Sequence, residues 1–247
     1  MEREIEWLLQ EGFGGGKSFA FFAALERLNA GEPLGYILGF VPFLDCKIWL
    51  DSQPLIPRAE SEWWTERAIK EISQFTQNAP PLRVLDLCAG SGCIGVAVAK
   101  ALPEVYVDFS EIDLSHMPTI EKNLQENGIT REHSIIYHTN LFTGLTDSYD
   151  FILSNPPYID PRLNRTDESV LRHEPHLALF GGPDGMECIS SIIKSAPNHL
   201  QPHGQLWIEH EPEQTAVIHA LAVSHGFSST THTDQYNTER YSILVLQ

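Results

Sequence analysis

The chain reads as an α/β protein: a mainly parallel, twisted sheet with helices on both faces, preceded by a short helical region and a β-hairpin. Three observations predict this. From residue 83 onward, apolar runs of strand length alternate with runs of helical period. The first strand ends in Asp86-Leu87-Cys88-Ala89-Gly90-Ser91-Gly92, a glycine-rich turn that leads straight into a helix. The fourth ends abruptly in Ser154-Asn155-Pro156-Pro157-Tyr158, where two prolines without N–H donors forbid a central strand to continue. At 247 residues there is room for one large domain with a small appendage.

In chain order, Ile5, Leu8 and Leu9 mark a first short helix. Phe19, Phe22, Leu25 and Leu28 predict the apolar face of a second, which Gly31 ends. Residues 1–31 are therefore a short N-terminal helical region. Residues 12–18 end in Gly-Lys-Ser but lack both the first glycine and the preceding strand of a phosphate-binding loop, so they are a connector. The texture over 32–58 is β, with runs at 39–43 and 46–50 predicting a hairpin around Leu44-Asp45. Residues 59–247 form the main domain. Its first helix opens at Ala59-Glu60-Ser61-Glu62, acids at its positive end, and continues through Trp63, Trp64, Ala68, Ile69 and Ile72. After a linker at 77–81, strands are expected at 83–87, 105–110, 134–138, 149–154, 204–209 and 241–246. Helices are expected at 93–101, 117–127, 187–200 and 213–225. The polar segment 160–173 reads as a lid or substrate-facing loop.

Composition narrows the partners. Sixteen Lys+Arg against thirty-three Asp+Glu give a net charge of -17. A face that grips nucleic acid needs clustered cations, and no such cluster appears, so no direct nucleic-acid substrate is expected. No run of eighteen apolar residues occurs, and Met1-Glu2-Arg3-Glu4 does not open a signal peptide, so neither a membrane nor export is expected. Four cysteines without a CxxC fit a reduced, cytoplasmic protein. The eleven histidines are scattered without a ligand frame, and no metal is expected.

The chemistry gathers at strand ends. Gly90 and Gly92 let the backbone turn tightly beside a ligand, and the following helix brings its positive N-terminus there. Asp86, Cys88, Ala89, Gly90, Ser91 and Gly92 are thus candidates for a nucleotide-type site. Glu111, at the end of the second strand, is placed to meet two ribose hydroxyls, and is favoured over Asp113. Asn140 and Leu141, after the third strand, are candidates for an adenine edge and face. Gly90-Ser91-Gly92-Cys93-Ile94-Gly95 also fits a dinucleotide frame. The fourth strand's corner decides for S-adenosylmethionine: it offers no hydride partner, but it offers a group able to position a planar nitrogen.

Asn155-Pro156-Pro157-Tyr158, together with the turn at 86–92, resembles the class I amino-methyltransferases that modify planar nitrogens. Three further segments narrow the resemblance: Glu32-Pro33-Leu34-Gly35-Tyr36-Ile37-Leu38-Gly39, Leu55-Ile56-Pro57-Arg58-Ala59-Glu60-Ser61-Glu62, and residues 173–185 around Glu174-Pro175 and Gly181-Gly182-Pro183-Asp184-Gly185. In this order they are similar to the PrmC/HemK family of peptide chain release factor glutamine methyltransferases, over residues 32 to 247. The resemblance implies a Rossmann-like methyltransferase fold, S-adenosylmethionine as cofactor and a release factor as protein partner. It implies a catalytic set of Asn155, Pro156 and Tyr158. The Asn155 side-chain oxygen and the Pro156 carbonyl would take the two hydrogens of the glutamine NH₂, and Tyr158 would stack on the amide. Pro157, Arg58 and Glu60 would join the substrate rim, and Asn155 would also border the cofactor. Some positions depart from the family: Ala59 and Ser61 where Pro and Thr are usual, Glu111 for Asp, Leu141 for an aromatic, and a shorter helical region before Glu32. A ribosomal-protein glutamine methyltransferase and a nucleic-acid adenine N6-methyltransferase share the Asn-Pro-Pro-Tyr corner and are the alternatives.

Overall fold

The computed structural model describes residues 2–76, 81–163 and 165–247, so most of the linker expected at 77–81 lies outside the described residues. Helix α1 (Glu2–Trp7) runs into a wider π-type turn at Leu8–Gly12, and α2 spans Phe19–Asn29. Ser18 caps α2 by accepting the Phe21 N–H at 3.2 Å. The buried face of α2 is Phe21, Ala24 and Leu28, closing on Leu8, while Phe19 is 91% exposed and Phe22 50%. The face expected from Phe19 and Phe22 is therefore corrected. A strict three-residue spacing slips by about 60° per step on a 3.6-residue helix, so Phe19 and Leu28 fall on opposite sides.

Leu34–Leu38 is a short helix, α3, ended by Gly39 at φ 79°, where β texture was expected. The hairpin itself stands as expected: β1 (Phe40–Phe43) pairs antiparallel with β2 (Cys46–Trp49) around Leu44, whose φ is 49°. It packs into the main core through Phe43, Cys46 and Ile48.

The chain continues with α4 (Ala59–Phe75), β3 (Arg83–Leu87), α5 (Cys93–Ala101), β4 (Tyr106–Glu111), α6 (Met117–Glu126), β5 (Ile136–His138) and β6 (Tyr149–Ser154). Short helices α7 (Glu168–His173) and α8 (His176–Leu179) follow, then α9 (Glu187–Ser195), β7 (Leu200–Glu209), α10 (Thr215–Ser224), β8 (Phe227–Thr233) and β9 (Glu239–Leu246). The seven-stranded sheet has the order β5-β4-β3-β6-β7-β9-β8. From β5 to β7 every pairing is parallel, and β9 is antiparallel to both β7 and β8. Strand β8 was not expected. Its sequence, Phe-Ser-Ser-Thr-Thr-His-Thr, buries only Phe227, because an edge strand needs little apolar surface.

Period-two alternation divides the core. Val84, Phe109, Phe151 and Leu153 pack with Trp64 and Val96 on one face of the sheet. Leu85, Leu87 and Ile152 pack with Ile189, Ile192 and Ile218 on the other. Strand order reverses at β3, whose neighbours are β4 and β6, so the carboxyl ends of these strands open a crevice there. Among the described residues no helix is long and apolar enough to cross a membrane.

Candidate active site

Two cavities lie over the carboxyl ends of the strands. The smaller, about 360 Å³, is lined by Gly90, Ser91, Glu111, Asn140 and Leu141 with the β6 corner. The larger, about 960 Å³, is a groove bounded by Arg58, Pro156, Tyr158, Ile159 and Asp160, with Glu213 across it. Leu55, Asn155 and Ala178 line both. Asn155 thus stands on the wall between them.

The turn after β3 is held in an unusual shape. Cys88, Gly90 and Gly92 all have positive φ, at 64°, 55° and 76°. Two bonds fix it: Ala89 N–H donates to Ser110 C=O at 3.1 Å, and Gly92 N–H to Ala89 C=O at 2.7 Å. A Cβ at Gly95 would lie 2.4 Å from the Phe109 ring, so only glycine lets α5 close on β4. Asn123 of α6 links the turn to the hairpin, its Nδ2 donating to Ser91 C=O and Trp49 C=O.

Asp86 lies behind the turn and does not line the cavity. Its Oδ2 accepts the Gly95 N–H at 2.8 Å, and its Oδ1 meets no donor among the described residues. Burial pushes its pKa up to about 8. Asp86 therefore braces the turn; it does not reach the cavity. Gly92 also stays behind the lining, and Glu60, in the first turn of α4, lines neither cavity. Arg58 does border the groove, but its guanidinium donates to the buried Glu174 at 2.6 Å, which ties the segment after the hairpin to the end of α7.

Glu111 ends β4 facing the smaller cavity. Its Oε2 accepts the Gly90 N–H and its Oε1 the Asp113 N–H, both at 2.7 Å. Each oxygen keeps a second lone pair. Asp113 itself caps the following turn by accepting the Ser115 N–H at 2.9 Å, and it lines the same cavity. Leu141, at φ 51°, has its carbonyl fixed by the Ser110 hydroxyl at 2.6 Å.

At the β6 corner, Ser154 Oγ donates to Leu87 C=O at 2.8 Å and locks the strand end to β3. Asn155 Nδ2 donates to Ser61 Oγ at 3.0 Å. Tyr158 is clamped by its backbone, since Gln214 Nε2 donates to its carbonyl at 2.9 Å, and by its side chain, whose hydroxyl donates to Glu209 Oε1 at 2.9 Å. Burial, and then the charge of Glu209, push the Tyr158 hydroxyl pKa well up, so it stays protonated. Burial also raises Glu209, against the lowering effect of hydrogen bonds from Ser61, Trp64 and Tyr158.

Trp64, Glu209 and Gln214 were not among the site residues expected from the sequence, and Ser61 stood out only as a departure within the family segment. A signal existed for one of them. Glu209 closes the apolar run Leu206-Trp207-Ile208 at a strand's carboxyl end, as Glu111 closes β4.

A family model described as "Methyltransferase small domain" matches residues 72–173. Among solved structures, a Pyrococcus furiosus methyltransferase superposes with a TM-score of 0.57, covering 90% of this chain and 97% of that one at 15% identity. A Thermus thermophilus 16S rRNA N2 G1207 methyltransferase in complex with AdoMet and guanosine gives 0.54, covering 77% and 44% at 17% identity. At such identities these likenesses show the fold. Sequence relatives are nearer. The release factor glutamine methyltransferase of Rhodopirellula baltica is 33% identical over 216 residues, 86% of this chain and 73% of that protein. That of Francisella tularensis is 38% identical over 211 residues, 84% and 70%. With a methyltransferase sheet, a cavity over its reversal point and relatives this similar over most of both lengths, the chain belongs to the release factor glutamine methyltransferase family.

Proposed function

We propose that the protein transfers the methyl group of S-adenosylmethionine to the side-chain amide nitrogen of a glutamine, that of the Gly-Gly-Gln loop of peptide chain release factors. The observation that carries this reading is the Asn155 amide on the wall shared by a nucleoside-sized cavity and a larger acceptor groove. The smaller cavity fits the cofactor in volume and in donor set. Glu111 has lone pairs left for two ribose hydroxyls, the bare backbone of Gly90 and Ser91 admits close approach, and Asn140 and Leu141 offer an edge and a face to adenine. Cys88 and Ala89 complete the lining, with Asp86 and Gly92 shaping the turn behind it. When bound, S-adenosylmethionine would supply an electrophilic methyl group and a neutral sulfide leaving group, and the one proton that the methylated nitrogen sheds passes to solvent through the groove.

The chain's own residues orient the acceptor. An amide nitrogen is a weak nucleophile because its lone pair is shared with the carbonyl. With Nδ2 of Asn155 committed to Ser61, its Oδ1 is free to accept one hydrogen of the glutamine NH₂. The Pro156 carbonyl, in the groove, accepts the other. Two acceptors in this arrangement increase electron density on the nitrogen and aim it at the cofactor side of the wall. The Tyr158 ring flanks the amide, and Pro157, Leu55 and Ala178 keep water from the passage. Such alignment contributes up to roughly 7–11 kcal/mol in favourable cases. Tyr158 remains a protonated phenol and does not act as a base. Arg58 holds the groove wall through Glu174. The surplus of carboxylates, net charge -17, suits a basic protein surface.

Labelled S-adenosylmethionine incubated with purified release factor tests this. Label on the intact loop, absent from a version with the loop glutamine changed to alanine and absent from DNA, is the expected result. Label on DNA alone overturns it.

A further inference from the structure

Glu209 is a buried carboxylate that lines neither cavity, so it does not touch an acceptor directly. It is only 1% exposed, in a place where an ionised group is expensive unless well supplied with donors. Three reach it. Ser61 Oγ and Trp64 Nε1 donate to Oε2 at 2.6 and 2.7 Å, and the Tyr158 hydroxyl donates to Oε1 at 2.9 Å. Ser61 and Trp64 stand three residues apart on one face of α4, and Tyr158 comes from the β6 corner.

Counting hydrogens shows what this carboxylate controls. A serine hydroxyl has one hydrogen and a carboxylate has none. The Ser61 hydrogen is spent on Glu209, so toward Asn155 the Ser61 oxygen can only accept. Asn155 must then present its NH₂ to Ser61, which turns Oδ1 away from Ser61 and leaves it free to accept. Without an acceptor at Glu209, the Ser61 hydrogen could turn to Asn155 and capture Oδ1. The same count applies to Tyr158: its one hydrogen is held by Glu209 and is withheld from the groove.

We propose that Glu209 is a positioning residue for methyl transfer, setting the direction of the Asn155 amide through Ser61 and fixing Tyr158 with its other oxygen. The inference rests on the proposed glutamine transfer. Trp64 alone would need only a neutral acceptor; the two further bonds both go to the clamp.

Two substitutions separate its arms. In Glu209→Gln the carboxamide oxygen stays with Trp64 and Ser61, because an indole only donates, and the new NH₂ meets Tyr158, whose hydroxyl must turn round. In Ser61→Ala the Asn155 amide loses the partner that orients it. With the cofactor saturating and a release factor as acceptor, kcat should fall about 10-fold in Glu209→Gln and about 100-fold in Ser61→Ala, the scale of a small misplacement of reacting groups. Ser61 borders the smaller cavity and is one donor to a buried carboxylate, so a few-fold change in cofactor dissociation constant and a small fall in melting temperature are expected, each well short of the kcat loss. A merely structural role would lower kcat only in step with those two readouts. Parental kcat in both variants, or a kcat loss that only tracks those two readouts, overturns the proposal. The unsubstituted protein is assayed first: no transfer to the glutamine there refutes the proposed function instead, which keeps the two failures apart.

Discussion

In the proposed transfer, the direction of the Asn155 carboxamide separates an acceptor for a substrate hydrogen from a group turned back on its own fold. The sequence pointed to Asn155, Tyr158, Gly90 and Glu111 because each stands beside local punctuation: a proline pair, a glycine turn or a strand end. It did not point to Ser61 and Glu209. Ser61 lies 94 residues from Asn155 and 148 from Glu209, and only the packing of α4 against the sheet brings the three together. Asp86 misled for a related reason. An acid before a glycine-rich turn reads as a ligand contact, whereas burial in β3 makes it a brace with a pKa of about 8. That shift has a stability consequence. An unfolded Asp titrates near about 4, so between about pH 4 and pH 8 the folded state holds a proton that the unfolded state has lost. This group's stabilisation is present at the acid end and is lost as pH rises through 8. Urea unfolding at pH 5 and pH 8 should therefore show a smaller fall in stability for Asp86→Asn than for the parent protein. An equal fall in both would remove Asp86 as its source.

Among elements, the alternation of strand and helix was legible wherever a segment buries two faces, as in β3 and β6. It failed where burial is thin. Strand β8 is an edge of serine and threonine, and α3 is five residues long, too short to show a period. The polar stretch 160–173 read as a loop but ends in α7, whose six residues include none that is buried. The Gly181–Gly185 segment matters through contact instead of pattern. Gly185 has φ 66°, and a Cβ placed there would sit 1.8 Å from the Tyr158 carbonyl oxygen. Gly185→Ala should displace Tyr158 and cost about 1–3 kcal/mol or more, since backbone cannot yield as a side-chain tip does. The expected result is a lower urea midpoint together with a kcat loss larger than the change in cofactor affinity. A folded variant with parental kcat would mean that Tyr158 tolerates the shift.

For the whole molecule, five parallel strands ordered outward from β3 open one crevice, and the loops after β3, β4 and β6 meet over it. The segment after the hairpin and the first turn of α4 close the opposite side, through Leu55, Pro57 and Ser61. One cavity lies on each side of a wall made by Leu55, Asn155 and Ala178, and Asn155 is the polar side chain of the three. If that side chain orients the acceptor amide, removing it should impair the chemistry and spare the cofactor. The direct measurement is kcat for Asn155→Ala with release factor as acceptor, beside the dissociation constant for S-adenosylmethionine. A kcat at least about 100-fold lower, with a dissociation constant changed only a few-fold, is the expected result. Turnover near that of the parent protein would contradict it.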